Sequence, residues 1–194
     1  MPRRILILNG HPDPRPSTFV GALATAYAAG AAAGGHEVRR IDVGALALPP
    51  VRTAAEFEGP PALEAIGAAQ ADIAWCDHLV IAHPLWHGMH PAALKAFFEQ
   101  TFRYGFAMTN EARGFPKPLL TGKSARSIVT MGMPAFIYRW WFGAYAMRAL
   151  ETSLLGLAGI RPQRRTIIGG LGALTREKAA AHLKAVEELG RRGV

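Results

Sequence analysis

The chain has one cysteine in 194 residues, which excludes an internal disulfide and any multi-cysteine metal or iron–sulfur site. Acid is also scarce: 14 Asp and Glu stand against 22 Lys and Arg, a formal charge of +8 with a pI near 10.2. That excess is dispersed, as in Arg39-Arg40, Arg164-Arg165 and Arg191-Arg192. No basic tract is interleaved with aromatics and no zinc-finger spacing occurs, which argues against nucleic acid as the partner. Neither GxGxxG nor GxxxxGK[ST] is present, so a dinucleotide fingerprint and an ATP-type phosphate loop are both unsupported. The apolar run after Arg3-Arg4 covers only Ile5 to Leu8, too short for the core of a signal peptide. Ile128 to Met147 is long enough to cross a bilayer, but Gly132, Pro134 and Arg139 interrupt it; it reads as strand, loop and helix start, with no membrane span expected.

What is present points to a folded enzyme-sized unit. Half of the residues are apolar and 19% are charged, which suits one globular domain over residues 1–194. Cys76 reads as a small buried hydrophobe in a reducing cytoplasm. Arg4 to Asn9 (RILILN) is a continuous apolar strand of the doubly buried kind. A helix from Ser17 follows, with Val20, Leu23, Ala24, Tyr27 and Ala28 on one face, ending at Gly34-Gly35. His36 to Val43 is a second strand, Gly44 to Pro61 an irregular excursion, and Leu63, Ile66 and Ile73 mark a helix. Asp77 to Ala82 is a third strand, and Leu94, Phe97, Phe98, Thr101 and Phe102 line the helix beyond it. A fourth strand ends near Thr130; Met147, Leu150, Leu154 and Leu157 form a helix stripe closed by Gly159. Arg164 to Gly170 is a fifth strand, and a last helix starts near Thr175. Strands alternating with helices predict a five-stranded parallel sheet covered on both faces. Ligands in such sheets bind beyond the carboxyl ends of the strands, which directs attention to the loops after Asn9, Ala82 and Thr130.

These loops are unusual. The first, NGHPDPRPSTF, offers His11, then Ser17 and Thr18 at a helix start, where hydroxyls and free N–H groups can hold an anion. Ser17 is equally suited to a plain N-cap. The second, HPLWHGMHP, carries His83, His87 and His90 among two prolines, a leucine, a tryptophan and a glycine. The histidine spacing resembles a helical metal site, but Pro84, Gly88 and Pro91 prevent a helix, and no carboxylate or HExxH accompanies it. The alternative is a flat heterocycle resting on Pro84, Leu85 and Trp86, with Gly88 letting the backbone come close.

Three motifs carry a family resemblance: NGHPDPRPSTF, HPLWHGMHPAALKAFFEQTFRYGFAM and VTMGMPAFIY. On them the whole chain resembles the flavodoxin-like NAD(P)H:quinone oxidoreductases, the group of the diaphorases and the ancillary proteins of potassium-efflux systems. The resemblance implies an α/β, flavodoxin-like three-layer sandwich and a bound flavin. His11, Ser17, Thr18 and Phe19 would hold its phosphate. Pro84, Leu85, Trp86 and His87 would line its ring and ribityl chain, and Thr130, Met131, Gly132 and Met133 the pyrimidine side. Tyr138 would lie over the mouth of the site, with Tyr138 and His87 as candidate proton donors to the acceptor. The chain departs from its relatives in places. Met133 replaces a second glycine, His87-Gly88 stand where a tryptophan or phenylalanine is usual, and Ala144 replaces a histidine that follows the tyrosine. Val20 stands where some members hold FAD with an asparagine, which points to FMN, with FAD as the alternative.

The activity implied is two-electron transfer from NAD(P)H through the flavin to a quinone-like small molecule, in the cytoplasm and without a metal. The other reading is a flavin-binding regulatory subunit with a transporter partner; a flavodoxin-type electron carrier fits poorly, because such carriers are acidic. In Phe136 to Tyr145 (FIYRWWFGAY) six of the ten residues are aromatic. Since the family's sites form at a two-fold interface, a homodimer is expected, with this segment and Gly105 to Met108 closing the partner's site.

Overall fold

The computed structural model describes residues 1–15, 17–59, 63–111 and 114–194. Five strands form one parallel sheet in the order β2-β1-β3-β4-β5: β1 Arg4–Asn9, β2 Glu37–Asp42, β3 His78–Pro84, β4 Ser124–Thr130 and β5 Gln163–Ile168. β1 and β3 are rich in Leu, Ile and Val, and all three interior strands, β4 included, are buried on both sides, as a parallel sheet between helical layers requires. Successive residues alternate between the faces. Leu79 and Ile81 enter one apolar cluster with Phe97 and Phe98, while Val80 and Ala82 enter the other with Leu23 and Tyr27.

The first layer holds α3 (Glu64–Trp75), α4 (Ala92–Thr101) and the helical run made of α6 (Tyr145–Ala149), a wide π-type turn (Leu150–Leu155) and α7 (Gly156–Ala158). The second layer holds α1 (Phe19–Ala33) and α8 (Arg176–Arg191). Thr18 caps α1 by accepting from Gly21 N–H at 3.1 Å, so the helix starts two residues later than Ser17. The excursion after β2 is not wholly irregular: Ala54–Glu58 forms the short helix α2, capped by Thr53; the excursion's end at Pro61 lies outside the described residues. Leu157, expected on the inward stripe, is 46% exposed, because the π-type turn rotates the residues after it off a regular helical face. Cys76 is buried, and burial pushes its thiol pKa up to about 11, so it packs as a hydrophobe. Among the described residues no helix is long and apolar enough to cross a membrane.

The α1–α8 contact depends on missing side chains. A Cβ on Gly30 would stand 1.8 Å from the Glu187 carbonyl oxygen, and one on Gly190 would stand 2.1 Å from that of Tyr27. The two helices therefore touch backbone to backbone. Gly67, within α3, has nothing within 4 Å of the same position. Gly30→Ala should cost about 2 kcal/mol or more by forcing the helices apart. Gly67→Ala should instead stabilise by about 0.5 to 1 kcal/mol through helix propensity. Urea unfolding of both variants checks the contrast, and equal effects would contradict the tight crossing.

Candidate active site at the carboxyl edge of the sheet

The sheet order reverses at β1, whose chain leaves towards β2 on one side and beside β3 on the other; this is the crevice position for ligands in an open α/β sheet. The loops there are tied together by the main chain. Gly10 N–H donates to Ala82 O at 2.7 Å, and Leu85 N–H to Thr130 O at 2.7 Å. The loop after β5 supports the loop after β4 through Gly170 N–H to Met133 O, 2.9 Å, and Leu171 N–H to Met131 O, 3.2 Å. Asn9, fully buried, donates from Nδ2 to Asp42 Oδ1 at 2.8 Å and accepts His11 N–H at 3.3 Å. It thereby joins the ends of β1 and β2. Its role escaped the sequence reading, although a polar residue ending an apolar strand was a usable signal.

In the first loop, Asp13 N–H donates to His11 Nδ1 at 3.0 Å, and Arg15 clamps Asp13 with a 2.5 Å ion pair. The guanidinium and the Arg15 N–H hold the Asp13 carboxyl down at about 2. This pair too was missed. Ser17 is exposed, the Thr18 side chain is engaged in the cap, and Phe19 packs half-buried against the second apolar cluster.

The second loop is a tight hairpin. Trp86 N–H donates to Met89 O at 3.0 Å and Met89 N–H to Trp86 O at 2.9 Å, with His87 at φ 50° and Gly88 at φ 77°. Positive φ at both central residues makes a type I′ turn, and histidine is among the few side chains that accept that region. Neither central N–H is used in the turn's own bonds. Trp86 is 49% exposed and stands edge-on to His11, ring centres 5.9 Å apart, so the first two loops share one wall. His87 is exposed, whereas Pro84 and Leu85 are buried beneath the turn.

The third loop follows the same division. Thr130 and Met131 are buried, Met133 is half-buried, and exposed Gly132 has nothing within 4 Å of a Cβ position. Tyr138 is not at the mouth. It is 1% exposed, inside a third cluster with Leu85, Val129, Met131, Ala144, Ala146 and Met147. The reason is local: α5 (Ala135–Trp140) begins directly after Pro134, and the turn of helix that carries Tyr138 faces the sheet edge. Its hydroxyl completes no hydrogen bond of good geometry among the described residues, and burial raises its pKa.

The three histidines of the second loop do not converge. His87 points to solvent, while His83 and His90 are stacked edge to face, 4.7 Å between ring centres. His83 Nδ1 donates to Pro84 O at 2.9 Å and His90 Nε2 to Ala146 O at 3.1 Å, which fixes those nitrogens as the protonated ones. Among the described residues no group of three metal-ligating side chains gathers. A groove of about 460 Å³ lies beside His90, lined by Met89, Phe98, Met108, Leu150 and Leu154 among others.

The profile of the flavodoxin-like fold family matches residues 3–191. The chain belongs to that family. The fold of the NAD(P)H:quinone oxidoreductase from Methanothermobacter marburgensis superposes with a TM-score of 0.83 at 21% identity, covering 100% of both chains. Smu.1420 from Streptococcus mutans gives 0.80 at 22% identity over 97% of this chain and 99% of its own. An FMN-dependent NADH-azoreductase from Bacillus anthracis, solved in complex with FMN, gives 0.77 at 16% identity over 99% of both. No curated protein matches the chain in sequence.

The buried histidines give the fold a pH dependence. Desolvation lowers His83 to about 3 and His78, at the start of β3, to about 4, and it lowers His90 as well. All three are therefore neutral when folded, while the unfolded chain takes up their protons near about pH 6.5. Below that pH the unfolded state binds more protons, so stability falls as the medium is acidified, by up to about 1.4 kcal/mol per pH unit for each histidine. Urea unfolding between about pH 7 and pH 5 should show this decline; a flat profile would mean that these rings are solvated.

Proposed function

We propose that the chain is an FMN-dependent NAD(P)H oxidoreductase that reduces quinones or related acceptors by two electrons. The observation that carries the reading is the convergence of three strand-end loops on one edge, with an exposed indole, open backbone at Gly88 and Gly132, and the start of a fifteen-residue helix all facing it. These features fit a flavin. Glycines with free space above them let a flat ring approach the main chain, and Trp86 offers an apolar wall. The N–H groups of the first turn of α1 have no acceptor within the helix, and with Ser17 and Thr18 they suit a phosphate monoester. A bound flavin would supply two-electron exchange with a nicotinamide and then with the acceptor.

The residues divide the remaining work. Ser17, Thr18 and the N–H of Phe19 hold the phosphate, and His11 steadies the edge of Trp86. Pro84, Leu85, Thr130 and Met131 act from below, fixing the loops on which the ring rests. Gly132 and Met133 present backbone to the ring's polar side. His87, held outward by its positive φ, is the candidate proton donor to the acceptor oxygen. Tyr138 shapes the pocket wall through the third cluster, since its buried hydroxyl is remote from solvent in this conformation. The groove lined by Met89, Phe98, Met108 and Leu154 is assigned as the face of a homodimer, because it leaves Met89 61% exposed beside the site and includes Met108 of the Gly105–Met108 stretch.

FMN added to the purified chain should bind one to one, with visible absorption and quenched flavin fluorescence. Trp86→Ala should weaken binding by about tenfold or more. A protein that neither FMN nor FAD colours would overturn the reading. In steady-state kinetics with NAD(P)H and a soluble quinone, double-reciprocal lines should be parallel, since both substrates use one cleft in turn; intersecting lines would count against it. His87→Asn keeps a side chain that tolerates positive φ while removing the imidazole, so turnover should fall. Light scattering should give a dimer mass, reduced to a monomer by Met89→Asp.

A further inference from the structure

The surface beyond α5 is surplus to the fold. Between α5 and α6 the chain makes a compact knuckle, closed by Phe142 N–H to Ile137 O at 3.2 Å and Ala144 N–H to Tyr138 O at 3.1 Å. Its inward side is complete: Tyr138, Ala144, Ala146 and Met147 are buried in the third cluster. Its outward side carries Phe136, Trp140, Trp141, Phe142 and Tyr145, and both tryptophans are 84% exposed. These rings are not a core that failed to close. They form a patch on a rigid base, flanked by exposed Arg139 and Arg148.

The charge around the patch selects its occupant. From Glu111 to Glu151 the chain has no acidic residue between the two, and Glu151 is engaged by Arg165, with Arg165 Nε donating to Glu151 Oε1 at 2.6 Å. A second copy meeting this patch by two-fold symmetry would bring its own Arg139 and Arg148 to the same interface, doubling the positive charge there, and the chain from Glu111 to Glu151 supplies no further acid to offset it. An anionic lipid surface has the complementary sign and needs no matching shape. Tryptophan and tyrosine also favour the depth at which lipid headgroups meet acyl chains, and arginine reaches the phosphates above it. We propose that the Phe136–Tyr145 knuckle, with Arg139 and Arg148, docks the protein peripherally on anionic bilayers. The knuckle follows directly from the loop Met131–Pro134, so docking brings the carboxyl edge of the sheet to the lipid. On the functional reading above, the acceptor would then be a quinone dissolved in the membrane.

The test needs no activity and no bound flavin. The full chain is floated with vesicles of equimolar phosphatidylglycerol and phosphatidylcholine, and separately with phosphatidylcholine alone. The expected result is co-flotation with the anionic vesicles, a blue shift of tryptophan emission, and weakening as salt is raised. Trp140→Ser with Trp141→Ser should lower partitioning more than about tenfold. Arg139→Gln with Arg148→Gln should lower it by about tenfold or more on anionic vesicles only. Both pairs are exposed, and an unchanged melting temperature certifies the fold. Failure of the unaltered protein to float overturns the proposal, as does full retention of binding in the double serine variant. A double serine variant that turns a dimer into a monomer, with no lipid binding by the parent, would reassign the patch to a second copy of the chain.

Discussion

Every strand runs in the same direction, and most of the rest follows from that. A parallel sheet must return each connection across a face, so both faces are covered by helices and the interior strands are buried on both sides. Leu79 and Ile81 pack into one layer, Val80 and Ala82 into the other, and no solvent side is left. Most polar residues of these strands sit at the strand ends, where loops can meet their hydrogen bonds; Arg126, buried in the middle of β4, instead reaches Val194 O at 2.7 Å and Thr166 Oγ1 at 2.9 Å. Asn9 is the strand-end example: it is fully buried, yet Asp42 and His11 N–H satisfy it. The carboxyl edge combines such polar strand ends with the crevice where the strand order reverses at β1.

At that edge each loop separates anchors from presenters. Leu85 and Met131 are buried with Tyr138 in one cluster, and the residues next to Leu85 and Met131, Trp86 and Gly132, are exposed. The division follows from chain geometry: an extended segment leaving a strand points alternate side chains to opposite sides. The type I′ turn then fixes Trp86 opposite Met89 and holds His87 outward. Preorganisation of the edge thus comes from apolar burial underneath, with few side-chain hydrogen bonds on the surface itself. The His83–His90 pair adds a buried polar joint, since His90 reaches Ala146 O and ties the second loop to α6.

The sequence was most legible where a residue's role depends on periodicity. The five strands, the inward faces of α1 and α4 and the three unusual loops were all readable from runs and spacing. Burial of Tyr138 was not, because an aromatic after a strand-end loop gives no sign of which way a short helix will turn. The exposure of Leu157 depends on a π-type turn that no residue pattern announces, and α2 is too short for periodicity to mark. The Asp13–Arg15 clamp and the Gly170–Met133 bond join residues through backbone conformation, which spacing alone does not encode. What sequence could not supply was orientation, and it is orientation that leaves His87 exposed and Tyr138 buried.

The basic charge and the exposed aromatics bear on each other. An apolar patch as large as the Phe136–Tyr145 knuckle ordinarily drives association, yet its inner side is already packed and no further burial within the chain is open to it. The exposed Arg139 and Arg148 oppose self-association through this particular surface, while the net charge of +8 attracts anything anionic to it. Were the patch a remnant of core packing, its flanks would not need to be free of acid from Glu111 to Glu151. The two features make physical sense together: the charge keeps the aromatics from meeting their own kind and leaves them available to a surface of opposite sign.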